Sequence, residues 1–222
     1  MKATFLLAAS LVPMAALSGQ TVSANAVVAV PKHSAHFSGV TERLDGSWVG
    51  GAVEFEARRL RLSVSGTRGR LTAADAGLPK SDVGELSLDG QYRVRPWFGL
   101  ELRYTARVFS TAAGYQRWDV VGVGAAASRD LGTPTVRGFA SLLYFPMVSV
   151  SYEERPTFAL GSNVGIALAP RNLPLAVMLS YRIERFRFAA TARSEQFEAL
   201  TLSLGVRARR HAGRWTLGGA GQ

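Results

Sequence analysis

The strongest constraint in this sequence is an alternation of apolar and polar residues with a period of two. In segment 99–109 (GLELRYTARVF), the even positions are leucine, tyrosine, alanine and valine, whereas the odd positions from Glu101 to Arg107 are mostly charged. Segment 85–95 (ELSLDGQYRVR) repeats the pattern. Because successive side chains of a β-strand point to opposite faces, the alternation predicts strands with one apolar and one polar face.

Most of the chain after residue 47 follows this period, with regularly placed connections. Further alternating segments lie at 48–57, 60–67, 158–169, 175–183 and 200–209, and less regular apolar segments lie at 118–128 and 136–151. Pro146 predicts a bulge or an end of pairing, since proline cannot donate to a ladder. Short connections at 57–59, 96–99, 130–134 and 170–174 alternate with generally longer ones at 69–82, 110–117, 151–156 and 189–196. This order predicts an up-and-down antiparallel meander.

The first 24 residues have the layout of a secretory signal peptide. Lys2 precedes an apolar stretch at 5–17, and small residues follow up to Ala24, which gives a cut before Asn25; a second candidate cut follows Ala26. The alternative is a membrane anchor, but the apolar stretch is shorter than the roughly 20 residues that a spanning helix needs. The predicted divisions are a signal peptide at 1–24, an N-terminal segment with a candidate first strand at 25–46, a barrel at 47–209 and a tail at 210–222.

Strand length favours a sheet whose apolar face meets lipid and whose polar face is enclosed. The alternating runs are about 9–12 residues long, which suits a tilted transmembrane strand, whereas soluble strands are nearer 5–6 residues. The charges predicted to line the lumen are Glu54, Glu56, Arg61, Glu85, Asp89, Arg93, Glu101, Arg103, Arg107, Arg137, Arg182 and Arg207. The aromatic residues predicted to lie at the membrane interface, close to strand ends, are Trp97, Phe98, Phe109, Trp118, Tyr152, Phe158, Phe186 and Phe197.

The chain resembles the small outer-membrane β-barrel proteins of Gram-negative-type bacteria in its signal peptide, in strands such as ELSLDGQYRVR and LTLSLGVRAR, and in its alternation of turns and loops. The resemblance implies an outer-membrane location, contact with phospholipid or lipopolysaccharide, and insertion by the barrel-assembly machinery. One feature departs from the family, whose last strand commonly ends in an aromatic residue. This chain ends in RARRHAGRWTLGGAGQ, so either the tail hangs free or Trp215 belongs to a further strand.

The resemblance and the pattern together predict a transmembrane barrel of ten strands. Nine segments are clear, and single-chain bacterial barrels have even strand numbers. Segment 33–40 (HSAHFSGV) is therefore the candidate first strand, with 41–46 as its loop. The alternative is an eight-stranded barrel that begins at Leu60.

Few residues suggest chemistry. The chain has no cysteine, which excludes thiolate metal sites, and its three histidines, His33, His36 and His211, lie outside the clear strands, where we expect them to be solvated. Adjacent His33 and Ser34 would face opposite ways on a strand. We therefore expect no catalytic residue, metal or cofactor, and we assign the carboxylates as partners of the lumen arginines.

The basic excess, 26 Lys and Arg against 16 Asp and Glu, indicates an anionic surface as a partner. Export disfavours nucleic acid, and arginine suits phosphate geometry, so we expect rim arginines to contact lipid phosphates. That rim set is Arg68, Arg70, Arg117, Arg155, Arg185, Arg187 and Arg193.

The sequence predicts a monomeric, non-enzymatic outer-membrane barrel with a structural or envelope-interaction role and a narrow, largely ion-paired lumen. Three alternatives remain open. They are a narrow anion-preferring channel, which unpaired lumen arginines would support; a lipid-modifying outer-membrane enzyme; and a soluble periplasmic ligand-binding barrel, in which the leucines would point inward.

Overall fold

A computed structural model describes residues 20–37, 39–73, 80–111, 114–151, 154–170, 173–189, 192–211 and 214–217, with side chains as far as residue 208. Within these ranges the chain forms eleven β-strands: β1 (Gln20–Phe37), β2 (Val40–Ala57), β3 (Leu60–Ala73), β4 (Ser81–Arg95), β5 (Phe98–Thr111), β6 (Gly114–Leu131), β7 (Thr133–Val150), β8 (Phe158–Leu168), β9 (Leu175–Arg187), β10 (Ser194–His211) and β11 (Arg214–Leu217). None of the described residues forms a helix long and apolar enough to cross a membrane.

The first ten strands close into an up-and-down antiparallel barrel. Each strand pairs with the next along the chain, and β1 closes the cylinder by pairing with β10 from Thr21↔Arg209 to His36↔Ser194. The predicted all-β barrel of ten strands is confirmed, and the eight-stranded alternative is wrong. Trp215 belongs to β11, which pairs with the last residues of β10.

The two ends of the barrel differ in their connections. The turn end carries Gln20 and the connections at 58–59, 96–97, 132 and 169–174, and the loop end carries those at 38–39, 74–80, 112–113, 151–157 and 188–193. Arg58 in the first turn has a φ of 49°, and Gly132 in the third has a φ of 74°, so both turns use the left-handed backbone that tight hairpins require. The expected loop at 110–117 is wrong, because β5 and β6 continue to within two residues of each other.

The first two strands lie where the pattern was weakest. β1 spans Gln20–Phe37 and β2 begins at Val40, so the predicted first strand at 33–40 and the loop at 41–46 are wrong in their bounds. The inward face of β1 is apolar at Val27, Ala29 and Pro31, as is much of its outward face, so no contrast marks the strand. The predicted cleavage would remove residues 20–24, of which 21–24 are paired with both β2 and β10 and Gln20 is paired with β2.

The barrel is apolar outside and polar over much of its inside. Side chains of leucine, valine, isoleucine and tyrosine are exposed on the outer surface of all ten barrel strands, as the leucines of β5 and β10 illustrate: Leu100, Leu102, Leu200, Leu202 and Leu204. The neighbouring residues on the same strands, such as Arg103 and Ser203, are buried inside. The polarity is therefore the reverse of a soluble sandwich or ligand-binding barrel, whose leucines would form the core.

A bulge at Pro146 changes which residues of β7 point into the barrel, from odd-numbered before it to even-numbered after it. Val121 pairs with Met147 and Val123 pairs with Tyr144, so Phe145 and Pro146 together oppose one residue of β6. Phe145 faces inward before the bulge and Val148 faces inward after it. The bulge predicted from Pro146 is confirmed, and the extra residue explains why both faces of segment 136–151 look apolar.

Candidate functional site: the barrel lumen

All twelve charges predicted to face the lumen point into the barrel. Eleven of them line a cavity of about 920 Å³, which we term the lumen cavity and which extends from the turn end toward the loop end. The twelfth, Arg107, is buried just beyond its upper end. Including Asp130, which the sequence analysis did not single out, the wall carries six acidic and six basic side chains.

The acidic side chains of the lumen cavity are paired with arginines. Arg61 bonds Glu54 at 2.6 Å, Arg93 bonds Glu56, and Arg137 bonds Asp130 at 3.0 Å. Arg103 of the GLELRYTARVF segment bonds Asp89 at 2.5 Å and Glu101 at 2.8 Å. The charges on the polar face of β5 are thus neutralised locally, as burial in a narrow lumen requires.

A four-membered ion network spans the barrel at the top of the lumen cavity. Arg107 of β5 lies 2.6 Å from Glu85 of β4 and 2.8 Å from Glu184 of β9, and Arg182 of β9 lies 2.8 Å from Glu85. These atoms join opposite walls, because β9 is not a neighbour of β4 or β5 in the sheet. Glu184 was missed by the sequence analysis, although it lies two residues after Arg182 and so on the same face.

Above this network, buried aromatic and aliphatic side chains fill the loop end of the lumen. We term this group the aromatic plug; its rings belong to Trp48, Phe109, Trp118, Phe145, Phe186, Phe188 and Phe197, and aliphatic side chains such as Leu71, Val83, Val120 and Leu143 complete it. The ring centroids of Trp48 and Phe197 are 5.2 Å apart, and those of Trp118 and Phe186 are 5.0 Å apart. The distances are typical of packed aromatic pairs.

The plug and the ion network are in direct contact. The guanidinium of Arg107 lies 3.6 Å from the centroid of the Phe197 ring, which is the range of a cation–π interaction. Glycines make room for the plug on the neighbouring strands: a Cβ on Gly122 would lie 2.8 Å, and one on Gly161 2.6 Å, from the ring of Phe145. A void of about 10 Å³ lies beside Arg107 and Phe186, which is room for about one water molecule.

Four of the predicted interface aromatics are wrongly assigned. Phe109, Trp118, Phe186 and Phe197 are buried in the plug rather than exposed at the membrane boundary. Phe109 shares its parity with Arg103 and Arg107, so the alternation itself places its ring inside.

The remaining predicted aromatics lie at the two ends of the barrel. Trp97 and Phe158 are exposed on opposite ends, at 59% and 44%. Phe98 lines the mouth of the lumen cavity. Tyr152 lies outside the described residues.

The expectation of solvated histidines is wrong for His33. Its ring lies inside the loop end, with Nε2 2.7 Å from a carboxylate oxygen of Glu195 and its centroid 5.2 Å from that of Phe109. The expectation failed because His33 was placed at a free terminus, whereas it belongs to the long strand β1. His36 is exposed, and its Nδ1 lies 2.7 Å from the hydroxyl of Thr41; the side chain of His211 lies outside the described residues.

The comparisons agree with this geometry at the level of the fold. The outer membrane protease OmpT from Escherichia coli superposes with a TM-score of 0.53 and 10% identity over 87% of this chain and 98% of its own. Neisserial surface protein A superposes with a TM-score of 0.38 and 15% identity over 84% of this chain and 96% of its own. The translocator domain of the autotransporter NalP from Neisseria meningitidis superposes with a TM-score of 0.43 and 12% identity over 83% of this chain and 88% of its own. No family model and no curated protein sequence matches the chain. The closed ten-stranded barrel is thus the fold of the small bacterial outer-membrane β-barrel proteins.

Proposed function

We propose that this protein is a non-enzymatic β-barrel of a bacterial outer membrane, with a structural or envelope-interaction role and a lumen that does not conduct solutes. The aromatic plug carries the proposal, since its rings occupy the loop end of the lumen and the ion network closes the space beneath them. A barrel of about this strand number has an interior that side chains can nearly fill. The anion-channel alternative loses support because the acids and arginines of the lumen cavity are equal in number and the acids are paired.

The exposed apolar belt supports a membrane location. Soluble monomers rarely expose a continuous apolar surface, and this one surrounds the barrel. By the usual orientation of such barrels, the turn end faces the periplasm and the loop end faces outward, after insertion by the barrel-assembly machinery. Fractionation of the expressing cells tests this location. We expect the protein in the outer membrane with a gel mobility that changes on boiling, whereas recovery from the soluble periplasm without detergent would contradict it.

Lipid phosphate is the partner that the outer surface fits. Six arginines of the predicted rim set are exposed near the loop end, namely Arg68, Arg70, Arg117, Arg155, Arg185 and Arg187. Arg193 instead bonds the buried Glu195. Added lipopolysaccharide should raise the melting temperature of the detergent-solubilised monomer, and Arg68→Gln with Arg187→Gln should reduce that rise. The same change at Arg58 and Arg59 of the turn end is the control.

The loop end carries an imidazole–hydroxyl pair that a non-enzymatic role has to account for. The hydroxyl–imidazole pair of His36 and Thr41 is a cross-strand hydrogen bond between register partners at a hairpin end. OmpT is a protease by name, but at 10% identity the likeness extends to the fold alone. Hydrolysis of peptide or ester substrates that is lost in His36→Ala would contradict the proposal.

Single-channel recording in planar bilayers tests the closed lumen directly. The refolded protein should give no discrete conductance steps, whereas Phe186→Ala should produce them, because it removes a ring at the centre of the plug. Phe158→Ala, which removes an exposed ring on the outer surface, is the matched control and should stay silent. Steps from the unaltered protein would contradict a closed lumen, and gel mobility confirms that each variant is folded.

A further inference from the structure

We propose that the lumen cavity is a binding pocket for a neutral, polyhydroxylated solute, of the size of a short oligosaccharide, that enters from the turn end. The inference rests on the proposed function, because a lumen closed at the loop end leaves the turn end as its entrance. The cavity volume of about 920 Å³ is within the range of small-molecule sites, roughly 300–1,000 Å³. Three properties of its wall define the class of ligand.

The first property is the absence of surplus charge on the described wall. Six acidic and six basic side chains line the cavity, and the acids are bonded to arginines, as Arg61 with Glu54 and Arg103 with Asp89 illustrate. A charged ligand would have to break these pairs and leave one partner uncompensated, which is costly in a partly desolvated site. The wall therefore favours a neutral ligand.

The second property is a wall rich in hydroxyl groups. Strands β9, β10, β1 and β3 supply inward hydroxyl groups on one side of the barrel, among them Ser23, Ser63, Ser65, Ser180, Thr201 and Ser203. Each hydroxyl can donate one hydrogen bond and accept two. A ligand that carries many hydroxyls can both donate to and accept from the serine and threonine hydroxyls of this wall.

The third property is a set of aromatic rings at the mouth. Trp97 and Phe98 in the turn between β4 and β5 lie with their centroids 5.6 Å apart, and Phe139 lies on the wall of β7. Sugar rings present apolar C–H faces that pack on aromatic rings, while their hydroxyls point outward for hydrogen bonds. Aromatic rings combined with convergent polar groups are typical of small-molecule sites.

Isothermal titration calorimetry on the refolded protein, in a detergent without a sugar head group, tests the inference. The probes are maltotriose as a neutral saccharide, and tripolyphosphate and spermidine as charged molecules of comparable length. We expect maltotriose to bind and the two charged probes not to bind. No heat with maltotriose up to about 10 mM, or binding of a charged probe in its place, would overturn the proposal.

Matched variants locate the binding. Ser65→Phe places a ring inside the cavity and should abolish binding, whereas Val64→Phe, its neighbour on the outward face of β3, should leave binding unchanged. Trp97→Ala should weaken binding about tenfold, and Tyr115→Ala, equally exposed but at the loop end, should not. Binding that survives Ser65→Phe would overturn the assignment to the lumen. Conductance recorded on the same preparation tests the closed loop end separately, so the two proposals can fail independently.

Discussion

At the scale of single residues, the lumen of the molecule contains buried charges that are paired with one another. Arg107 is almost fully buried, and so is Glu184, to which it is bonded at 2.8 Å. Removing two charges from water is expensive, and their attraction offsets that cost only when the pairing is complete. The four-membered network satisfies this condition because Arg107 contacts Glu85 and Glu184, and Arg182 also contacts Glu85.

Breaking this network should be strongly destabilising. Arg107→Met leaves Glu184 buried without its arginine partner on β5, so we expect the free energy of unfolding to fall by about 3–5 kcal/mol. Urea titration of the protein in micelles, followed by tryptophan fluorescence, measures the loss. Arg70→Met, which removes the exposed pair with Asp82 at the loop end, is the control and should cause no measurable change. Equal stability of the two variants would mean that the network is not a structural brace.

Residue-level prediction from the sequence succeeded where the alternation was followed and failed where it was not. Parity placed Arg103 and Arg107 in the lumen, and the same parity places Phe109 inside. The interface assignment of Phe109 instead used its position along the chain, near a strand end. A residue that points into this barrel is not always polar, because the inward face becomes apolar at the loop end.

At the scale of strands, the alternation marks β2 to β10 where they cross the apolar belt, but it marks neither β1 nor the parts of strands that extend beyond the belt. β2 continues to Val40, but its outward residues above Trp48, such as Arg43 and Asp45, are polar like some of its inward ones. Without a contrast between faces, no period-two signal marks the segment. The strand before β2 was therefore predicted only from the even strand number of such barrels, and the structure was needed to give its bounds, Gln20–Phe37.

The start of β1 makes a prediction about processing. Residues 20–24 pair with β2 at 53–57, and residues 21–24 pair with β10 at 206–209, so a cut before Asn25 would leave both neighbours without these partners. We expect the mature chain to begin at or before Gln20, because the closed ladder satisfies backbone groups that would otherwise lie unpaired at the seam. Intact-mass measurement of the protein from the membrane identifies the N-terminus. A mature chain that begins at Asn25 would contradict this expectation and agree with the cut predicted from the sequence.

At the scale of the whole molecule, the proposed membrane location follows from a polarity that is inverted with respect to soluble barrels. Sequence periodicity alone does not distinguish lipid outside from a hydrophobic core inside, since both give the same alternation. The structure resolves the direction: Leu202 is half exposed, while its neighbour Ser203 is buried in the lumen wall. The plug and the lumen cavity could not be predicted from the sequence, because they are formed by residues that the topology brings together from eight or more strands.

This polarity makes a prediction that separates the membrane barrel from a soluble protein with the same strands. Leu202 lies on β10 between the exposed Leu200 and Leu204, near the middle of the apolar belt. Leu202→Arg should lower the free energy of unfolding in lipid vesicles by about 2–4 kcal/mol, because a charge at the bilayer midplane loses its hydration. Val40→Arg, at an equally exposed site on the loop end, should change stability little, since it stays in water. If both substitutions were neutral, the belt would not face hydrocarbon. The expected difference would mean that lipid covers the leucines, while the arginines of the same strands lie in the lumen and are paired there with acidic side chains.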